Sequence, residues 1–108
     1  MDKKYLQGKV SLLTISAGSN LYQLSNGKLL RVYDMCDDPE YEYGYDYLDP
    51  DTKKLIDGGV FNVDAGDLDT VVKEAMNWCD LNPEKVTYEI MQYDVEYDDL
   101  EEMGYSGF

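Results

Sequence analysis

The stretch that decides the fold runs LYQLSNGKLLRVY from Leu21 to Tyr33. Its centre is Asn26-Gly27, a pair that accepts positive φ at both positions, as a type I′ hairpin turn requires. Apolar segments precede and follow this pair, and such segments bounded by turn residues are typical of strands. The stretch therefore predicts an antiparallel hairpin, with strands over residues 20–24 and 29–33 joined by a turn at 25–28.

Strand patterns also occur on both sides of this hairpin. Residues 10–16 are mostly apolar and lie between two glycines, and residues 41–48 alternate tyrosine with acid or glycine, so each segment predicts a strand. Residues 49–52 (Asp-Pro-Asp-Thr) form a strong turn sequence. We expect residues 55–63 to pair back after this turn as a second hairpin, with Gly58 and Gly59 forming a bulge or a bend.

Residues 67–80 show the one clear helical pattern in the chain. Apolar residues from Leu68 to Cys79 recur every three or four positions, which places them on one helix face. Asp67 precedes them as a suitable N-cap, and Asn-Pro at positions 82–83 ends the helix. Residues 86–95 alternate β-branched and aromatic residues with polar ones, which favours a strand; a helix that starts at Pro83 is the alternative.

These patterns predict an α+β domain in which an antiparallel sheet of about five or six strands carries one amphipathic helix, residues 67–80, on one face. The chain of 108 residues is expected to form a single domain, residues 1–108, with residues 104–108 as a loose tail. Its two cysteines give no disulfide framework, and no signal peptide or membrane-spanning run is visible. We therefore expect a cytoplasmic protein with reduced cysteines.

The most unusual property of the chain is its charge. It carries 23 acidic residues and 9 basic residues, which gives a formal net charge of −14. A field of this sign opposes contact with nucleic acid and with anionic membranes, and it favours association with basic surfaces. We therefore expect neither direct nucleic-acid binding nor membrane binding.

Enzymatic chemistry finds little support in the sequence. Histidine, the commonest general base and metal ligand, is absent. Cys36 is followed by Asp37 and Asp38, and neighbouring acids raise the pKa of a thiol and lower its reactivity. Residues 94–98 place acids as a helix-loop-helix calcium loop does, but Asp99 stands where such a loop needs glycine. We expect no catalytic residue, no metal site and no cofactor.

Two acidic segments form the candidate binding site. In the first, the tyrosines at positions 41–47 alternate with acids or glycine, so a strand would place them on one face and Glu42 and Asp46 on the other. The tyrosine face is equally compatible with a core-facing and a partner-facing role. In the second, the residues after Lys85 contain seven acids and no base. The candidate partner-binding residues are Glu40, Tyr41, Glu42, Tyr43, Tyr45, Asp46, Tyr47, Asp49, Asp51, Glu96, Asp98, Asp99, Glu101 and Glu102.

These features predict a small acidic binding protein that masks a basic surface of a partner protein, in particular a surface that binds nucleic acid. In charge, size and aromatic content the chain resembles the small acidic inhibitors encoded by phages and mobile elements. These include anti-restriction and anti-CRISPR proteins that imitate DNA, and the acidic immunity proteins that cap nuclease toxins. The resemblance covers no aligned motif, so it implies no functional residue.

Two other functions stay open at this point. One is a structural or adaptor domain whose charge serves solubility, and the less favoured one is a carboxylate-based metal-binding protein or hydrolase. The masking function also makes a prediction about folding. Changing Asp46, Asp49 and Asp51 to asparagine should leave the fold intact, because self-repulsion between the carboxylates falls.

Overall fold

The computed structural model describes residues 19–35, 38–64 and 66–107, so the predicted strand at 10–16 and the thiol of Cys36 lie outside the described residues. The described elements pair into one antiparallel sheet in the order β4-β3-β2-β1-β5. This confirms the α+β class. None of the described helices is long and apolar enough to cross a membrane. The elements are β1 (Ser19–Leu24), β2 (Leu29–Asp34), β3 (Tyr43–Asp49), β4 (Lys54–Phe61), α1 (Leu68–Trp78), β5 (Tyr88–Gln92) and α2 (Tyr97–Glu102).

The first predicted hairpin is present, but its turn is not type I′. Gly27 has a φ of 89°, whereas Asn26 is not among the residues with positive φ. The Gly27 amide donates to the Leu24 carbonyl at 3.0 Å, and the Leu24 amide donates to the Lys28 carbonyl at 2.9 Å. This is the three-residue hairpin loop in which one residue takes the left-handed conformation. The Asn-Gly pair therefore predicted the hairpin correctly and its turn type wrongly.

The second predicted hairpin joins β3 to β4. The irregularity in their pairing leaves Ile56 as the extra residue of a bulge. The predicted bulge at Gly58 and Gly59 is wrong, because both glycines have regular partners on β3. Gly59 instead leaves room for a core side chain, since a Cβ there would lie 3.3 Å from the ring of Tyr45.

Helix α1 covers one face of the sheet. The Asp67 carboxylate accepts a hydrogen bond from the Thr70 amide at 2.8 Å, which confirms the predicted N-cap. Burying an aliphatic side chain contributes roughly 1.5–3 kcal/mol, so the inward face of α1 is a main source of stability. The buried residues of this face are Val71, Val72, Ala75 and Met76, which pack against tyrosine, leucine and valine side chains of the sheet.

The opposite face of the sheet is covered by α2 and by the residues that follow it. Leu100 and Tyr105 form a second apolar cluster with leucines of the sheet. Tyr105 is only 5% exposed. The Ser106 amide donates to the Lys53 carbonyl at 2.9 Å, and the Leu55 amide donates to the Ser106 carbonyl at 3.0 Å. The prediction of a loose tail is therefore wrong for Tyr105 and Ser106, which are held by burial and by hydrogen bonds to the start of β4.

The segment at 86–95 contains a strand, as its alternation favoured. This strand, β5, pairs with β1. The ring of Tyr88 packs edge-on against Tyr22, with centroids 5.4 Å apart and an interplanar angle of 88°. The Tyr88 hydroxyl donates to the carboxylate of Asp69 in the first turn of α1. β5 is therefore tied to the helix as well as to the sheet.

We expect Tyr88→Phe to lower the free energy of unfolding by at most about 1 kcal/mol at neutral pH, because the lost hydrogen bond lies near solvent. This bond lowers the pKa of Asp69. Burial, and then the bond and the Asp69 charge, raise the pKa of Tyr88. The contribution of the bond is therefore present from roughly pH 4 to pH 10. It is lost as the pH falls through the lowered pKa of Asp69, or rises through the raised pKa of Tyr88.

Urea unfolding midpoints of the wild type and Tyr88→Phe should thus differ near pH 7 and converge once the pH falls below the lowered pKa of Asp69. Tyr93→Phe is the control, because Tyr93 is exposed and its hydroxyl has no hydrogen bond within the described residues. A difference that persists unchanged at the acid end would show that the hydroxyl acts through packing and not through Asp69.

Candidate protein-binding surface

The tyrosines of β3 face α1, which agrees with the core-facing one of the two roles that the alternation allowed. Tyr45 and Tyr47 are buried in the core beneath the helix, and Tyr43 is half-buried beside them. The Tyr45 hydroxyl donates to Asp57 at 3.1 Å, and Asn26 donates to the Tyr47 hydroxyl at 2.9 Å. Burial, with the Asp57 charge, raises the pKa of Tyr45 to about 12. These rings are core residues with satisfied polar ends, and among the predicted tyrosine anchors only Tyr41 lies outside this core.

The opposite face of β3 carries Asp46, which is 4% exposed. It pairs across the sheet with Arg31, and its Oδ2 lies 2.6 Å from Arg31 Nη1. Burial raises the pKa of Asp46, and the contact with Arg31 opposes that shift. The prediction that Asp46 faces a partner is wrong, because its carboxylate is the internal counter-charge of a buried arginine. Because Asp46 pairs with Arg31 inside the protein, we also no longer expect Asp46→Asn to leave the fold intact.

Arg31 is enclosed by residues of the sheet and of α2. Its Nε donates to the Val95 carbonyl at 2.6 Å, and its Nη2 lies 3.9 Å from Glu96. Its Cζ is 4.5 Å from the ring centroid of Tyr33 and 4.4 Å from that of Tyr97, within the range of cation–π contacts. One buried cation therefore fixes the beginning of α2 on the sheet.

Gly44 makes room for this arrangement. It pairs with Tyr33 across the sheet, and a Cβ at Gly44 would lie 2.3 Å from Cζ of the Tyr33 ring. Any side chain at this position would push the ring away from Arg31. The alternation of β3 thus serves a tyrosine core on one face and the arginine site, with Gly44 and Asp46, on the other.

The remaining acids of the first segment lie at the two ends of β3. Glu40 and Glu42 precede the strand, and their backbone is bonded to the Asn62 side chain at 2.9 Å and 2.7 Å. Asp49 ends the strand and Asp51 follows it, and the Asp51 amide donates to the Asp49 carboxylate at 2.9 Å, which lowers the pKa of Asp49. The length of β3 therefore separates the two pairs by about 20 Å. The acids of the first predicted segment therefore do not form one continuous contact surface.

The second acidic segment forms α2 and its N-cap. The Glu96 amide donates to the Asp99 carboxylate at 2.9 Å, and the Ser19 hydroxyl donates to Glu96 at 2.9 Å. Glu96 and Asp99 therefore take part in holding the helix. The three exposed acids of α2 have no salt bridge to any lysine or arginine of the described residues. They are Asp98, Glu101 and Glu102.

The turn between β3 and β4 lies near the residues that follow α2. Leu100 and Tyr105 belong to one apolar cluster with Leu48 and Leu55, which flank this turn. Burial, and to a smaller extent the charge of Asp49, raises the pKa of Tyr105. The apolar cluster thus joins the turn to the segment that contains α2, and we group the exposed acids of these two parts. We call this surface the acidic face; it consists of Asp49, Asp51, Asp98, Glu101 and Glu102.

Other reactive groups offer no second site. Within the part of the chain that the structure describes, no three cysteine, aspartate or glutamate side chains are grouped to hold a metal ion. Burial, with the charges of Asp57 and Asp80, raises the pKa of the Cys79 thiol to about 12. A thiol with so high a pKa carries little thiolate at neutral pH and is a poor nucleophile.

Sequence reasoning missed two features that the structure brings out. The first is the buried site of Arg31, the one arginine in the chain, whose position inside the apolar run LLRVY is a signal that it points inward. The second is the edge of β5, which pairs on one side only within the described residues and for which the polar and apolar alternation of the segment gave no sign. Comparisons with protein-family models, with curated proteins and with solved structures find no match to this chain.

Proposed function

We propose that the protein binds through its acidic face to a basic surface of a partner protein, of the kind that otherwise contacts nucleic-acid phosphates. The observation that supports this proposal is the state of the carboxylates in the acidic face. None of them has a salt bridge to a described lysine or arginine. Lys53, which follows the turn, lies over the ring of Tyr105 at 4.9 Å. The carboxylates of the acidic face therefore form no salt bridge within the described residues, although Lys28 lies near enough to Asp49 to add to the lowering of its pKa by the Asp51 amide.

Asp98 lies in the first turn of α2, where the helix dipole favours an acid, but the placement of Glu101 and Glu102 is unfavourable for the helix. Asp98 and Glu102 are four residues apart, and like charges at this spacing destabilise a helix by a few tenths of a kcal/mol. Glu101 and Glu102 lie in the last turn, where the helix dipole disfavours acids and where α2 has no basic residue. A basic partner would relieve both effects. This local cost supports a binding role over a role in solubility alone.

The binding needs no covalent chemistry. An exposed ion pair is worth at most about 1 kcal/mol, so affinity would come from many carboxylates that act together. Such a surface would accelerate encounter with a basic partner, and both the rate and the affinity would fall as salt screens the charges.

The test uses protamine, a small arginine-rich protein, as the probe of a basic surface. We expect the full chain to bind it with an affinity that falls steeply between about 0.05 M and 0.3 M salt. The triple variant Asp98→Asn, Glu101→Gln, Glu102→Gln should bind at least about tenfold more weakly. The matched control is Asp64→Asn, Asp80→Asn, Glu84→Gln, which removes the same charge from exposed positions outside the acidic face.

The control variant should lose less than about threefold in affinity, because only the overall field changes. Equal losses in the two variants would show that total charge, and not the acidic face, governs binding. Binding that does not respond to salt would favour the adaptor function, in which apolar contacts hold the partner.

A further inference from the structure

We infer that the outer edge of β5 accepts an extended segment of a partner protein as an additional strand, and that this segment carries basic residues at its ends. The inference rests on the proposed function for the charge of the partner. It goes beyond that function in the site, which is separate from the acidic face, and in the extended conformation of the bound segment.

The first argument is the open edge of the sheet. Within residues 19–35, 38–64 and 66–107, β5 pairs with β1 alone, at the end of the strand order. Alternate amides and carbonyls of an edge strand point away from the sheet and can bind another strand. Natural edges are commonly blunted by lysine, proline, other charged residues or a bulge; β5 has Glu89 and the bulge at Met91 but neither lysine nor proline.

The second argument is the apolar surface beside this edge. Ile90 is 41% exposed, Met91 57% and Tyr93 66%. The pairing of β5 shifts between Leu21 and Tyr22, which leaves Met91 as an extra residue without a partner across the strand pair. In strand addition, main-chain bonds supply affinity and neighbouring side chains supply specificity. The three exposed side chains would provide that contact.

The other edge of the sheet is less suited to this role. The backbone of Ser106 hydrogen-bonds to Lys53 and Leu55 at the beginning of β4. Further along β4, the Gly58 amide donates a hydrogen bond to the carboxylate of Asp57 at 2.9 Å. These contacts use main-chain groups that strand addition needs, so β5 is the more open of the two edges.

The acidic residues around β5 favour a basic partner segment over a second copy of the chain as the additional strand. Asp67 and Asp69 lie near Tyr88, since the charges of both raise its pKa. Asp69 also pairs with Lys73 at 3.1 Å. Glu89 is exposed within the strand and Asp94 follows Tyr93. A second copy of the chain would bring these carboxylates together, and each copy carries a net charge of −14. A segment with apolar residues in its middle and lysine or arginine at its ends fits this edge better.

The experiment titrates the full chain with a synthetic peptide that alternates valine and threonine and has lysines at both ends. Nitrogen–proton correlation spectra should show shifts at β5. The variant Ile90→Ser, Met91→Ser, Tyr93→Ser should bind at least about tenfold more weakly. The matched control Ile56→Ser changes an exposed residue of β4 and should bind as the wild type does. A peptide with the same charge and proline at its centre should also lose at least about tenfold, because proline cannot donate to the ladder.

Several results would overturn the inference. Equal binding of the proline peptide, or shifts confined to α2, would show that charge alone brings the peptide to the protein. Slow hydrogen exchange of the outward β5 amides in the free chain would show that the edge is already occupied. Dimerisation that the serine variant abolishes would assign the edge to a second copy. The serine variant keeps the acidic face, so protamine binding tests the proposed function separately.

Discussion

Asp46→Ala is expected to lower the free energy of unfolding by about 3–5 kcal/mol, the range found when one partner of a buried ion pair is removed. Arg31 stays charged at all accessible pH values, and at 2% exposure it has no route to water. Without Asp46 its nearest carboxylate is Glu96 at 3.9 Å, and that side chain is itself mostly exposed. The loss is therefore the cost of an uncompensated charge inside the protein.

Urea unfolding measures this loss. Asp51→Ala is the matched control, since Asp51 is exposed on the same hairpin and should change stability by less than about 0.5 kcal/mol. The double variant Arg31→Met, Asp46→Leu should recover most of the loss, because replacing both partners of a buried pair by apolar residues is often neutral. The Ser19 hydroxyl lies within reach of both Glu96 and the Val95 carbonyl, so its one proton can turn to that carbonyl in the variant.

Two results would contradict this account of Asp46. An Asp46→Ala protein as stable as the Asp51→Ala control would mean that the arginine does not depend on its partner. A double variant as unstable as the single one would mean that shape, and not charge, is what the site requires.

Periodicity predicted the elements of this fold because each depends on neighbouring residues. The Asn-Gly turn, the spacing from Leu68 to Cys79 and the alternation at 86–95 are local signals, and the structure bears out a hairpin, a helix and a strand there. Alternation also placed the tyrosines of β3 and Asp46 on opposite faces. It could not show which face meets solvent, since that depends on α2 and Tyr105, which cover the Asp46 side from far along the chain.

The candidate site was predicted only in part, because local patterns show some of its acids but not how distant segments are arranged. The acids of α2 could be recognised from their crowding in sequence, and those at the end of β3 from the turn they form. That Glu42 also precedes the strand, and so lies a strand length away from Asp49, follows only from the bounds of β3. The open edge of β5 depends on the strand order, which no local pattern contains.

The acidic face depends on contacts at both ends of α2. At the beginning, Arg31 bonds to the Val95 carbonyl and lies against the Tyr97 ring. At the end, Leu100 and Tyr105 pack into the second apolar cluster. The helix has only 6 residues, and helices this short are not stable without tertiary contacts. Loss of either anchor should therefore affect the helix that presents the acids.

Tyr105→Ala is accordingly expected to lower the free energy of unfolding by about 3 kcal/mol, the lower end of the range for removing a buried aromatic ring. The ring fills the cluster with Leu29 and Leu48 and carries Lys53 on its surface. Tyr41→Ala is the control, because Tyr41 is exposed and its loss should cost less than about 0.5 kcal/mol. Urea unfolding of the two variants side by side gives the comparison.

Tyr105→Phe separates the ring from the hydroxyl. The hydroxyl has no hydrogen bond within the described residues, so this variant should keep nearly the full stability of the wild type. A Tyr105→Ala protein as stable as the Tyr41→Ala control would mean that the segment after α2 is loose after all. If Tyr105→Ala destabilises the protein as expected, we can add it to the α2 triple variant and to that variant's matched control. The affinities of these two proteins for protamine should then differ less than they do without Tyr105→Ala. Carboxylates on a detached segment contribute charge but no fixed surface.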